Sequence, residues 1–424
     1  FFKARLVSGA FQHVIAVQLD LHIALSLNAQ GGLSTSRKVS GVAHIDLYVF
    51  QGEVQHLIGT FVDHRNDVFA KAISWGRGRR GSSRGCLLEL GLLPEGLREQ
   101  LARLLLDSGC QLGAEDLVIT TGCHEALSAS IHAICEPGDI VAVDSPSFHG
   151  VMQALKGFGL KALELPTDPL TGINLEALEM ALEQWPIKAV ILVPNCNNPL
   201  GFIMPEARKK QVLALAQRHD IVIVEDDIYG ELAAEYPRPR TIHSMDIDGR
   251  VLLCSSFTKT VAPGLRVGWI VPGRYYDRVM HMKYAAGGFN VPGTQMAVAA
   301  FIRDGHYHRH VRRMRQIYQQ NMETYTCWVR QYFPAGICVT RPQGSFLLWV
   351  ELPEGVDSVR LMEDAYGQGI SVAPGALFSA REGFANCVRL SCGSPWTPAQ
   401  ADALRRLGEL ADGYLQQSGS ASSR

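Results

Sequence analysis

From residue 92 onward the chain alternates short unbroken apolar runs with stretches whose apolar residues return every three or four positions. Leu97, Leu101, Leu104 and Leu105 recur at helical spacing, and Gly109 closes that predicted helix. The runs Leu117 to Thr120, Ile140 to Val143, Leu160 to Leu165, Ala189 to Val193, Ile221 to Val224 and Val251 to Cys254 are short and rich in β-branched residues, so they predict buried strands. The periodic stretches between them, Cys123 to Cys135, Gly150 to Gly157, Leu175 to Trp185 and Glu206 to His219, predict helices. Such alternation describes a mostly parallel sheet covered on both faces.

Beyond Pro272 the pattern changes. A helical tract from Gln295 to Phe333, with a basic face expected to be solvated, precedes strand-like segments at Ile337 to Thr340, Gly344 to Leu352 and Val388 to Leu390. Helices are predicted near Ser358 to Tyr366 and from Pro398 to Leu415. The expected organisation is an α/β large domain over 91–290, a smaller α+β C-terminal domain over 291–416 and a polar, disordered tail over 417–424. Residues 1–90 are an N-terminal segment and linker without an assigned fold. Val14 to Val17 and His44 to Phe50 are candidate strands, and the Gly/Arg/Ser-rich Ser74 to Gly85, which has no acid, reads as a solvated linker in preference to a contact with nucleic-acid phosphates. No amphipathic helix pair joined by a tight glycine turn is found there, so no DNA-binding helix-turn-helix is placed.

Composition narrows the class. A formal net charge of -1 gives no global field toward nucleic acid or an anionic membrane. No apolar run reaches the ~18 residues of a membrane span. The ten cysteines are scattered without a Cys-x-x-Cys pair, so neither a disulfide framework nor a zinc site is expected, and the setting is read as a reducing cytoplasm. The chain opens Phe1-Phe2-Lys3 and its first methionine is Met152, which is expected of a fragment.

In a parallel sheet, ligands gather at the C-terminal ends of the strands. Thr120-Thr121-Gly122-Cys123-His124 joins a strand to a helix, where backbone amides can meet an anion. At the next exit, Phe148 is either core or a ring that stacks on a flat ligand, and His149 is more simply a hydrogen-bonded structural histidine than a catalytic one. Asn195 to Gly201 is a turn or a set of amide donors. Glu225-Asp226-Asp227 lacks the His or Cys companions of a transition-metal site, and the alternative is one carboxylate paired with a protonated ring nitrogen. Ser255-Ser256-Phe257-Thr258-Lys259 leads through Pro263-Gly264 to Arg266. A lysine between two buried strands must be paired, neutralised or used covalently, and the hydroxyls and arginine beside it suit a phosphate; the alternative is a basic loop.

Taken in order, Gly122, Phe148, Asn198-Pro199-Leu200-Gly201, Asp226-Asp227-Ile228-Tyr229, Ser256-Phe257-Thr258-Lys259, Arg266 and Arg389 resemble the motifs of fold-type I pyridoxal-phosphate enzymes of the class I aminotransferase family. The resemblance covers roughly Leu92 to Leu415. It implies a three-layer, mostly parallel large domain, pyridoxal 5'-phosphate as cofactor and a homodimer. By the same resemblance, Lys259 is the Schiff-base lysine and proton shuttle, and Asp226 partners the ring nitrogen. Asn198 and Tyr229 match donors to the ring oxygen, and Phe148 matches the stacking ring. Ser256, Thr258, Arg266 and the amides near Gly122 and Cys123 match the phosphate cup. Asn198 and Arg389 also match the substrate side, where the guanidinium fork of Arg389 resembles the clamp on an α-carboxylate.

The strings Pro194 to Gly201, Leu253 to Trp269 and Ala373 to Ser379 are especially similar to the aminotransferase-like domain of MocR/GntR-type bacterial regulators. Those proteins carry an N-terminal winged helix that binds DNA and use the cofactor domain as an effector sensor. This chain shows no winged helix in residues 1–90. Its Leu88 to Gly96 also offers no tyrosine where the family has Tyr-Gly-x-Pro-x-Gly. The resemblance therefore implies either transamination of an α-amino acid to a keto acid or effector sensing, with DNA a partner only where a winged helix lies upstream. Another cofactor-dependent reaction, such as β-elimination, is a third reading on the same fold.

Overall fold

A computed structural model describes residues 95–421 apart from 289 and 382. The strand and linker readings on residues 1–90 and most of the Leu88 to Gly96 stretch lie outside the described residues.

The strands β1 (Val118–Thr120), β2 (Ile140–Ser145), β3 (Lys161–Asp168), β4 (Gly172–Ile173), β5 (Ile187–Leu192), β6 (Val222–Asp226), β7 (Val251–Ser256) and β8 (Gly268–Val271) form one sheet in the order β1-β8-β7-β6-β5-β2-β3-β4. β3, β2, β5, β6 and β7 run parallel, while β8 pairs antiparallel with both β7 and β1, and β4 antiparallel with β3. The chain reverses its direction of travel across the sheet between β2 and β5, which opens a crevice at their C-terminal ends.

Both faces are apolar because successive residues of each strand point opposite ways. Val141, Val143, Ala189, Ile191, Val222, Val224, Leu252 and Cys254 pack on one side with α2 (Cys123–Ile134) and α3 (His149–Gly157). Ala142, Val190, Leu192, Ile223 and Val251 pack on the other side with α4 (Leu175–Gln184) and α5 (Glu206–Arg218). This is the three-layer arrangement expected from the unbroken apolar runs. Ahead of the sheet, α1 (Glu95–Leu104) buries Leu97, Leu101 and Leu104 against Val267, Trp269 and Val271.

The C-terminal part has its own sheet, β11-β12-β10-β9, made of β9 (Cys338–Val339), β10 (Leu347–Glu351), β11 (Ala373–Pro374) and β12 (Cys387–Ser391), all paired antiparallel. Its core of Leu348, Val350, Val388 and Leu390 is closed by α8 (His306–Tyr332), α9 (Ser358–Tyr366) and α10 (Pro398–Ala421).

The structure departs from the sequence reading at several elements. The tract read as one helix from Gln295 to Phe333 is two, α7 (Pro292–Arg303) and α8, because Gly305 between them stands at φ 75°, which an L side chain adopts only with strain. A further helix, α6 (Tyr276–Gly287), was not legible, since exposed Met280 and Tyr284 blur its apolar stripe. α10 continues past Leu415 to Ala421, over residues read as disordered from their polarity. On α8, Arg309 and Arg312 are exposed as expected of a solvated face, but Arg315 turns inward to Glu231, 3.6 Å away.

Candidate active site

Gly122 starts α2 at φ 89° and lies directly under the Arg266 guanidinium: a Cβ there would sit 2.9 Å from Nη2. Arg266, itself left-handed at φ 50°, donates from Nη2 to the Thr121 carbonyl at 2.6 Å. The guanidinium is thus parked at the N-terminus of α2, where unpaired amides already favour an anion. In the loop that leads to Arg266, the Thr258 amide donates to Ser256 Oγ at 3.3 Å, and Thr258 Oγ1 is buried without a hydrogen-bond partner. An arginine, helix amides and an orphaned hydroxyl are the groups that suit a phosphate cradle.

β6 ends beside this cradle, and its alternation divides the three acids. Asp226 shares the α2 face with Val222 and Val224. Its Oδ1 accepts from Cys123 Sγ at 3.3 Å and from the Ile228 amide at 3.1 Å. Burial raises its pKa to about 6, while those two hydrogen bonds and the charge of Lys259 hold it down and Asp227 pushes it up. Glu225 and Asp227 face the other side. Glu225 accepts from the Ile242 and His243 amides at 2.8 and 2.9 Å. Asp227 accepts from Asn195 Nδ2 at 2.7 Å and pairs with Arg238, which also reaches Glu231 at 2.7 Å. Lys209, 1% exposed, donates to Asn195 Oδ1 and the Arg240 carbonyl, each at 2.6 Å. Of the three acids, Asp226 is the one that meets the start of α2 and feels the charge of Lys259.

Lys259 is half-buried, with Nζ 5.9 Å from the ring centre of Phe346. Tyr229 meets the same ring edge-on at 5.9 Å, so one phenylalanine is shared by both. Phe148 stands between His124 at 5.7 Å and His149 at 4.7 Å. His149 departs from the hydrogen-bonded structural role expected of it. Its Nδ1 is buried without a hydrogen-bond partner, and burial, with Arg389, His124 and Lys259 adding repulsion, lowers its pKa to about 3, so the ring is neutral. Arg389 Nη1 donates to Asn198 Oδ1 at 3.3 Å, and its guanidinium lies 5.3 Å over the Phe378 ring. The structure thus brings Cys123 to Asp226, Arg266 to Gly122 and Arg389 to Asn198, while Glu225 and Asp227 turn to the other side of the sheet.

Sequence reasoning passed over Asp144, His124 and Phe346. Asp144 lies near the end of β2 and is buried, accepting from Asn197 Nδ2 at 2.7 Å and Ser147 Oγ at 3.1 Å. Burial raises its pKa to about 7 against those hydrogen bonds. An acid closing an apolar run was the signal. His124, whose pKa is lowered by burial and by Arg266 and Lys259, had only its place after the glycine turn. Phe346 had none, because it arrives from the other sheet.

Similarity to known proteins places the chain in a family. The family model described as aminotransferase class I and II matches residues 85–406. The chain is 64% identical over 313 residues to the uncharacterized HTH-type transcriptional regulator YjiR of Escherichia coli K12, covering 74% of this chain and 67% of that protein. It is 30% identical to aromatic-amino-acid aminotransferase 1 of Thermococcus litoralis, over 65% of this chain and 67% of that one. Among solved structures it resembles LysN, an α-aminoadipate aminotransferase of Thermus thermophilus complexed with N-(5'-phosphopyridoxyl)-L-leucine. The TM-score is 0.72 at 27% identity, covering 76% of this chain and 82% of that one. The chain belongs to the aminotransferase class I and II family.

Proposed function

We propose that this chain is a pyridoxal-phosphate-dependent aminotransferase domain acting on an α-amino acid, with Lys259 as the covalent anchor of the cofactor. The observation that carries this reading is the pairing of a phosphate-shaped cradle with a single inward acid. The orphaned Thr258 Oγ1 and the close approach of Arg266 to Gly122 fit the phosphate, and Asp226 fits a cationic ring nitrogen. The relative solved with a phosphopyridoxyl ligand supports the same cofactor.

On this reading Ser256, Thr258, Arg266 and the amides at Gly122 and Cys123 hold the phosphate, and Phe148 offers a flat face to the ring. Asn198 and Tyr229 donate to the ring oxygen. When bound, the cofactor supplies an electron-withdrawing ring that stabilises charge left on the substrate's α-carbon. Asp226 keeps that ring's nitrogen protonated, as an ionised carboxylate beside it would. Lys259 Nζ holds and moves the proton at the α-carbon, the role of a positioned general base. Arg389 binds the substrate carboxylate with its planar fork, and its hold on Asn198 Oδ1 leaves the Asn198 amide nitrogen as the donating end. The proposal includes a homodimer and a cytoplasmic setting; the nine described cysteines are free, as suits a reducing compartment.

A second reading is favoured by the 64% identical relative, which is named a transcriptional regulator. The same crevice then senses an amino acid or related effector for a DNA-binding partner segment, with little turnover. The two readings separate in one measurement: the absorption spectrum of the cofactor-loaded chain before and after a panel of amino acids. Conversion of the cofactor to its amine form with release of a keto acid supports the enzyme. A spectral shift on binding without keto acid supports the sensor. No cofactor uptake at all overturns both.

A further inference from the structure

We propose that Cys123 is a positioning residue whose thiol, together with the Ile228 amide, ties down Oδ1 of Asp226 and thereby aims Oδ2 at the ring nitrogen. This deepens the functional reading above and rests on it.

The geometry is specific to one oxygen. Cys123 Sγ lies 3.3 Å from Asp226 Oδ1, and the Ile228 nitrogen lies 3.1 Å from the same atom. Two donors on one oxygen fix the rotation of the carboxylate plane, so the other oxygen is held toward the crevice instead of swinging. Both partners are buried in regular structure. Cys123 is the first residue of α2, 5% exposed, just after the positive-φ turn at Gly122, while Asp226 is 2% exposed at the end of β6. Distant segments of the chain thus meet where the phosphate cradle and the ring-nitrogen site adjoin, so one residue joins the two through its amide and its side chain.

The thiol is suited to this work and unsuited to chemistry of its own. Burial and the neighbouring carboxylates Asp226 and Asp227 push it well above the usual thiol range, so it stays protonated and acts only as a donor. In return, its hydrogen bond helps hold Asp226 ionised against the cost of burial. The other titratable groups that act on Asp226 are Asp227 beside it in the chain and Lys259 from the segment after β7. Asp144 from β2 and Cys254 from β7 feel its charge.

The test compares Cys123→Ala and Cys123→Ser in the full chain loaded with cofactor carrying nitrogen-15 in its ring. Circular dichroism confirms that each variant is folded. In the wild type the ring nitrogen resonates in the protonated range near neutral pH. Cys123→Ala is expected to lower the pH at which that resonance moves to the unprotonated range, and to weaken cofactor binding about fivefold, the worth of one modest hydrogen bond. Cys123→Ser, which restores a donor, is expected to stay within about twofold of wild type on both readouts. An unchanged nitrogen titration in Cys123→Ala, with cofactor still bound, overturns the positioning role while leaving the functional reading intact. A Cys123→Ser variant that behaves as Cys123→Ala also overturns it. A wild-type chain that takes up no cofactor overturns the inference and the functional reading together.

Discussion

The Arg266 guanidinium occupies the space that a side chain at position 122 would need: its Nη2 lies 2.9 Å from where a Cβ would stand. Position 122 is also at φ 89°, so an L residue there is strained before any clash is counted. Gly122→Ala is expected to cost about 1–3 kcal/mol of stability and to weaken cofactor binding at least about tenfold by displacing Arg266. Urea denaturation and equilibrium dialysis check the two effects. A variant that binds cofactor as wild type does would show that Arg266 is not needed at this turn.

Lys259 has the Phe346 ring on one side and acts electrostatically on Asp226, His124 and His149 on others. Lys259→Ala should take up cofactor only reversibly. After borohydride reduction and dialysis, the wild type is expected to keep the visible-to-ultraviolet signature and mass of one bound cofactor, and the variant to keep neither. A reduced adduct on any other lysine of the wild type would refute the anchor.

Arg389 donates from Nη1 to Asn198 Oδ1 at 3.3 Å, and on the proposed function the pair serves the substrate rather than the phosphate. Arg389→Ala is expected to weaken amino-acid binding about 10- to 100-fold, the range for losing hydrogen bonds to a charged group, with cofactor affinity nearly unchanged. Spectroscopic titration with amino acids measures both. Equal loss of the two would place Arg389 in the cofactor's support instead.

Asp144 predicts a pH effect on the unliganded chain. Burial raises its pKa from 3.8 to about 7, so between those values the folded chain holds a proton that the unfolded chain has released. Stability contributed by this group is therefore greatest at low pH and declines as pH rises toward 7, by up to about 1.4 kcal/mol per pH unit. Asp144→Asn removes that proton exchange. The wild-type-minus-variant difference in urea midpoint, followed from pH 4 to 7, should slope downward; a flat difference would show that Asp144 ionises normally.

Much of this crevice could be read before any fold was known, because each strand ends in the residue it presents. Asp226 follows Val222-Ile223-Val224-Glu225, and Lys259 follows Val251 to Ser256, so the strand's period and end already position them. What could not be read are contacts made by closing the chain on itself. Phe346 reaches Lys259 from across the interface of two sheets, and no local pattern marks it. The Gln295 to Phe333 tract failed for a different reason: a lone glycine is tolerated inside a helical pattern, and only the backbone's left-handed turn at Gly305 separates α7 from α8. Asp144 was overlooked because an acid at a strand exit is commonly solvated, whereas here Asn197 and Ser147 cover it.

The alternation at the end of β6 wires two circuits through adjacent residues. Asp226 looks into the crevice, and Asp227 looks back through Arg238 to Glu231, where Arg315 of α8 is held by the Glu231 carbonyl at 2.6 Å. α8 has 27 residues, so it carries that anchorage over about 40 Å. One residue step at this strand end therefore separates the carboxylate assigned to the cofactor from the ion-pair network that fastens the long helix to the sheet.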